Sequence, residues 1–545
     1  MTEWDDNSGP GAHLGLCFPD ESAYAATVET LVADEVGSRI TAEDPTLWGP
    51  EAEEEAAKRL DWVSLPRSSR SLLTEIADLR ADLVARGLTR VVLCGMGGSS
   101  LAPEVICAAA GVPLEVLDSS NPDTVRDATS GDLTCTVVVV SSKSGGTVET
   151  DSQKRAFEAA FKDAGIDPTE RIIVVTDPGS PFDKGATVDG YRVFRADPDV
   201  GGRYSALTAF GLVPSGLAGA DIEALMDQAE ALLPALALDS NDNPGLRLGG
   251  LLGLAATQRV DKLVLANAGA EFAGLGDWIE QLVAESTGKH GHGLLPVVVG
   301  SVDAPNFTPS TADSILVSYG PDSPFDDVRP ASGFGAAVDA PLGAQIQLWE
   351  FATAVAGRVI GINPFDQPDV ESAKQAAREM LDGPDKVPAP RFVDGSFSVH
   401  AGDWLPSTVT TAREAIETLL GTIVPASGYL AVHAYLDRHR DADLADVRRS
   451  LATRTTRPVT FGWGPRFLHS TGQYHKGGPA TGVYLQITTE PVEDLEVPGR
   501  EFTFQEFFGS QSVGDAQVLA AKGRPVLRIH LAEPAAVTEL GRLLR

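Results

Sequence analysis

Residues 137–150 read Val-Val-Val-Val-Ser-Ser-Lys-Ser-Gly-Gly-Thr-Val-Glu-Thr. A continuous β-branched run ending in turn residues fits a parallel strand buried on both faces. The hydroxyls, glycines and Lys143 that follow lie where a long helix begins, and the free N–H groups of a helix N-terminus favour an anion. Comparable apolar runs stand at Val91-Val92-Leu93, Leu114-Glu115-Val116-Leu117, Ile172 to Val175 and Tyr191-Arg192-Val193-Phe194, with helical stretches between most of them. The alternation predicts a doubly wound parallel sheet.

The run at 91–93 leads into Cys94-Gly95-Met96-Gly97-Gly98-Ser99-Ser100. Alone, this loop fits a phosphate ester, a dinucleotide or a structural turn. Asp118 ends the next strand, as a dinucleotide fingerprint wants, but that fingerprint's last glycine would fall on Ser100. The loop at 141–150 decides between the ligands. A dinucleotide fold has no need of a second such loop, whereas a phosphomonoester gripped from two strand ends does.

Further along, the pattern predicts helices at 221–236, 246–258, 274–286 and 342–358, with strands at 262–265, 294–299 and 315–319. Lys386 to Arg391 reads as a linker, and strand-like runs return at 429–433, 459–463, 483–487 and 526–530. The expected organisation is an acidic N-terminal extension at 1–65, helical in character, then α/β domains at 66–220 and 221–400. A C-terminal α/β segment completes it at 401–545.

The chain has 545 residues and a formal net charge of −33. Such a field repels nucleic acid and anionic membrane surfaces, so neither is an expected partner. Residues 1–60 carry fourteen acids and three bases, unlike the basic start of a signal peptide. No apolar run approaches the ~18 residues of a membrane helix, and no two of the four cysteines form a CxxC pair. The expectation is a cytoplasmic protein with reduced thiols and no cofactor or metal. His290 and His292 have the spacing of a ligand pair but lack further spaced ligands.

The two phosphate loops resemble the sugar-isomerase (SIS) fold. Three more segments resemble the glucose-6-phosphate isomerase family: Gly201 to Ser205, Gln281 to Lys289, and Asn363 to Glu371. The stretch Gly464 to Pro479 is similar to the isomerase half of fused transaldolase–isomerase proteins. The resemblance implies an aldose–ketose isomerase acting on glucose 6-phosphate and fructose 6-phosphate in glycolysis and gluconeogenesis, without a cofactor and as a homodimer. Related readings are an isomerase of mannose or aminosugar phosphates and a non-catalytic sugar-phosphate sensor. Sensors of this fold usually carry a basic DNA-binding domain, which the acidic residues 1–60 do not supply.

Such chemistry moves a proton between C2 and C1, so it needs a general base. Glu285 lies four residues after Gln281, side by side with it on one edge of a helix, and the resemblance makes Glu285 the base. Arg203, behind two glycines, is expected to offset developing negative charge. The resemblance implies that Gln367 helps to hold the phosphate and that Lys374, two helical turns on, assists ring opening. Gly98, Ser99, Ser142, Lys143, Ser144, Thr147 and Gln281 match phosphate-binding positions. Gly145 and Gly146 stand where the family has bulkier or hydroxyl residues. The family's ring-opening histidine comes from the neighbouring subunit, yet no histidine occurs here between His292 and His400. His469 and His475 are the expected replacements.

Overall fold

The computed structural model describes residues 5–9, 11–369 and 389–545. Three sheets organise them. The first contains β3 (Arg90–Gly95), β4 (Glu115–Leu117), β5 (Thr136–Ser141), β6 (Ile172–Thr176) and β7 (Arg192–Arg195), all parallel in the order β4-β3-β5-β6-β7. Every residue of β5 is buried, as a two-sided parallel strand requires. Val137 and Val139 enter one core while Val138 and Val140 enter another.

The second sheet holds β8 (Lys262–Asn267), β9 (Leu295–Val299), β10 (Ser314–Tyr319) and β11 (Gly335–Asp339) in the parallel order β9-β8-β10-β11. The hairpin β1 (Asp5–Gly9) and β2 (Ala12–Cys17) joins its edge, with β2 antiparallel to β11. The third sheet repeats the scheme. Its strands β14 (Tyr429–Tyr435), β15 (Val459–Trp463), β16 (Gly482–Thr489) and β17 (Val526–Leu531) run β15-β14-β16-β17. A hairpin of β12 (Phe392–Asp394) and β13 (Phe397–Ala401) again extends the far edge.

Two expected boundaries shift. The segment 1–65 is more than an extension: Leu14 and Leu16 enter the core under the second sheet, and helix Glu21–Ala33 packs on helix Pro244–Thr257. Six residues of alternation in β2 were too short a signal beside so many acids. The third sheet begins at Phe392 rather than after 400, because Phe397 and Val399 alternate into its core while Ser398 and His400 face away from it.

The second sheet lies at the centre. Leu263, Leu265 and Ile315 share a core with the first sheet's Val91 and Leu93. Val264 and Leu316 share another with Tyr429, Tyr474 and Tyr484 of the third unit. Among the described residues, no helix is long and apolar enough to cross a membrane.

Candidate active site

In the first sheet the chain turns to opposite sides after β3, and open α/β sheets bind ligands at such a switch point, beyond the strands' carboxyl ends. The loops leaving β3 and β5 flank that point. After β3 comes the short turn Gly97–Ser99 and then helix Leu101–Ala110; after β5, helix Val148–Asp163 follows Thr147. Gly97 has φ +56, and a Cβ there would lie 2.7 Å from Gln281 Nε2 and 2.9 Å from the His469 carbonyl. A Cβ on Gly98 would lie 1.9 Å from the Gly202 carbonyl. The glycines thus let this loop touch the Arg203 segment, helix Leu275–Thr287 and the third unit at once.

The second loop folds on its own hydroxyls. Ser142 Oγ accepts from the Gly145 N–H at 3.1 Å and lies 3.3 Å from Thr147 Oγ1; Ser144 Oγ accepts from the Gly146 N–H at 3.2 Å. Gly145 has φ +74, and a Cβ would strike Phe182 at 2.3 Å, which accounts for the glycine there. Lys143 is placed differently from the sequence expectation. Its Nζ donates to the carbonyls of Pro198 (3.1 Å) and Val200 (2.9 Å) and pairs with Asp177 at 2.7 Å. Those bonds tie the loop to the approach of Gly201 and Arg203, so its ammonium is engaged within the protein.

Arg203, 4% exposed, is the hub. Its Nε donates to Ser286 Oγ (2.9 Å), Nη1 to Gln367 Oε1 (2.6 Å), and Nη2 to the carbonyls of Pro364 (2.7 Å) and Asp366 (3.1 Å). Four of the five N–H groups of a guanidinium are therefore engaged. Nη1 lies 3.7 Å from the Glu285 carboxylate. Helix Leu275–Thr287 presents Gln281, Glu285 and Ser286 to this cluster, all buried. Gln367 is brought here, bound to Arg203; Lys374 lies outside the described residues.

Lys289 was missed as a site residue. It is fully buried, and its Nζ donates to the carbonyls of Asn363 (2.7 Å) and Asp366 (2.6 Å) and to Asp366 Oδ1 (2.6 Å). Burial and the Arg203 charge lower its pKa to about 8, against the opposing pull of Asp366. It clamps the segment on which Gln367 sits. In the sequence it stands only as the end of the Gln281 to Lys289 stretch, and the fold buries it.

The two histidines separate. His469 Nε2 lies 3.0 Å from Glu149 Oε1, and its carbonyl accepts from Gln281 Nε2 at 2.8 Å. Burial would raise the Glu149 carboxyl, yet the hydrogen bond and charge of His469 hold it below the usual range. His469 therefore stands between the loop at 97–98, the first turn of helix 148–163 and Gln281. His475 does not reach this cluster. It is 1% exposed, stacked on Tyr429 with Nδ1 2.9 Å from that hydroxyl, and burial with the charges of His433 and Lys476 drives its pKa well down. It belongs to the core between the second and third sheets.

Residues 80–290 match the family model for phosphoglucose isomerase. A protein of Natronomonas pharaonis named "Probable glucose-6-phosphate isomerase" is 28% identical over 349 residues, covering 56% of this chain and 82% of that protein. The glucose-6-phosphate isomerase of Rubrobacter xylanophilus is 28% identical over 396 residues, covering 59% and 89%. The crystal structure of a glucose-6-phosphate isomerase from Chlamydia trachomatis superimposes with TM-score 0.57 at 18% identity, over 70% of this chain and 90% of that one. A hypothetical protein from Thermus thermophilus gives TM-score 0.57 at 24% identity, over 68% and 100%. The last two likenesses are of fold.

Proposed function

We propose that this chain interconverts D-glucose 6-phosphate and D-fructose 6-phosphate by proton transfer through a cis-enediolate. The observation that carries this reading is the Glu285 carboxylate 3.7 Å from the Arg203 guanidinium, beside two loops suited to a phosphate. Glu285 takes the proton from C2 of the open-chain aldose. The electron pair released forms the C1–C2 double bond, and the C1 carbonyl oxygen takes up negative charge. Arg203, already fixed by four hydrogen bonds, offsets that charge with little reorganisation. The C2 hydroxyl proton passes to O1, the C1–C2 double-bond pair takes the proton that the same carboxyl returns to C1, and the O2 lone pair closes the ketone at C2.

The phosphate is assigned to the loops at 97–99 and 142–147 and to Gln367. Lys143 serves by holding its loop in shape. Ring opening needs a group that moves a proton between ring oxygen and O1, and His469 paired with Glu149 is assigned that task, supplied from within the same chain. A cytoplasmic homodimer is part of the reading and rests on the resemblance.

Incubation with glucose, mannose and glucosamine 6-phosphates in D₂O, followed by NMR, tests the function. Deuterium at C2 and fructose 6-phosphate from glucose 6-phosphate are expected. Exchange with another of the three sugars alone would reassign the substrate, and no exchange with any would sink the isomerase reading.

A further inference from the structure

The third sheet has a switch point of its own. Its order β15-β14-β16-β17 sends the chain to opposite sides after β14, and β14 ends at Tyr435, paired with Thr488 near the end of β16. A cavity of about 780 Å³ lies beside these strand ends, between the sheet and the first half of helix Phe504–Ala521. That size is ordinary for a small-molecule site, roughly 300–1,000 Å³. Its residues are distinct from those of the isomerase cluster.

Strand alternation places charge on its wall. Leu527, Ile529 and Leu531 enter the core of the third unit, while Arg528 and His530 face the cavity. Arg528 is 8% exposed, and its guanidinium has no hydrogen bond or ion pair with any described residue. Burial lowers its pKa to about 10. Tyr435 also lines the cavity, and its buried hydroxyl has no partner among the described residues. Glu501 also lines the cavity and is exposed to solvent, whereas other charged neighbours are committed elsewhere. His530 is bound to Thr488 (2.9 Å) and Glu490 (3.2 Å), and Glu506 caps its helix through the Thr503 N–H at 2.9 Å. A buried guanidinium without an acceptor is costly, and its planar donors suit a bidentate oxyanion.

We propose that this cavity binds a small organic anion whose single phosphate or carboxylate head is taken by Arg528. One cation with acids nearby favours a ligand with one charged head and hydroxyls over a polyanion. This inference does not depend on the isomerase reading.

Phenylglyoxal modifies accessible arginines, and peptide mass spectrometry of the full chain would report on Arg528. Arg528 is expected to react in the free protein, and to be protected at least about fivefold by inorganic phosphate or by lactate. Protection by phosphate alone assigns a phosphate ester, and protection by lactate alone assigns a carboxylic acid. An unreactive Arg528, or no protection by either probe, would overturn the proposal. As a second measurement, the protecting probe should raise the melting temperature of wild type more than that of Arg528→Met, whose isomerase turnover should be unchanged. Equal shifts would count against the site. If Arg528→Met does not fold, Arg528→Lys replaces it and should show the same reduced shift.

Discussion

Arg203 and Arg528 are buried to nearly the same depth, 4% and 8% exposed, yet one is bound on almost every donor and the other on none among the described residues. The difference separates two ways of using a buried cation. Around Arg203 the protein supplies the acceptors itself, so the guanidinium is held before substrate arrives and little need rearrange as charge develops. Around Arg528 the acceptor must come from outside, which suits capture of a ligand rather than stabilisation of a transition state.

The contrast is sharpest in turnover. Glu285→Gln should keep substrate binding while kcat falls at least ~10², a typical general-base share; steady-state kinetics and substrate titration check both. Near wild-type kcat would remove Glu285 as the base and, with it, the distinction between the two sites.

Stability should respond with opposite signs. Arg203→Met removes the cation beside Glu285 and the donors to Ser286, Gln367 and the Pro364 carbonyl, and should cost about 3 kcal/mol. Arg528→Met removes an unpaired buried charge and should raise stability by about 1 kcal/mol in the absence of ligand. Urea unfolding of both variants compares them directly, and equal signs would break the comparison.

A third test sets the two histidines against each other. His469→Gln should lower kcat for the cyclic sugar by about tenfold and alter the pH profile, a modest fraction of what general acid–base groups contribute. His475→Gln should leave that profile in place and lower the unfolding free energy by about 1 kcal/mol, since it loses a buried hydrogen bond to Tyr429. Stopped-flow assays with the separate anomers would read the first effect.

The smallest effect concerns Glu280, which receives a hydrogen bond from Ser470 at 3.1 Å beside the cluster. Burial and the neighbouring Asp277 raise its pKa from 4.5 to about 8. Its contribution to stability is thus full below about pH 4.5 and is lost as pH rises through about 8. Glu280→Gln should flatten that part of the pH–stability curve and exceed wild type above pH 8, measured by thermal melts across pH 5–9.

Much of this was legible in the sequence where the signal was local. The valine run of β5 and the loop after it placed the first sheet and its switch point, and the i, i+4 spacing placed Gln281 beside Glu285. Arg203 and Gln367 lie 164 positions apart, and the resemblance assigned both, though no local pattern foretold their contact. Other features depended on packing. Lys143 looked like a phosphate ligand because a loop lysine has no visible partner in sequence; Asp177 and two carbonyls engage it. Lys289 was assigned no role in the sequence, because its partners Asn363 and Asp366 lie more than seventy positions away. His469 and His475 stand six residues apart in one motif, yet a short helix turns them to different environments. The strands β2, β11 and β13 were missed because each is short, small-residued or interrupted by polar positions.

The hairpin β1–β2 also bears on the order in which the chain can assemble. Leu16 pairs with Ala336, 320 positions later, and the entire first sheet is threaded between β2 and β8. During synthesis that sheet can close from neighbouring segments, while β2 must wait with an unpaired edge for β11 to emerge. Loop-closure entropy makes such late pairings slow, and an open edge is a template for wrong partners. The acids gathered at 1–60 would then have a kinetic use, keeping waiting copies of the hairpin apart until their own sheet is ready.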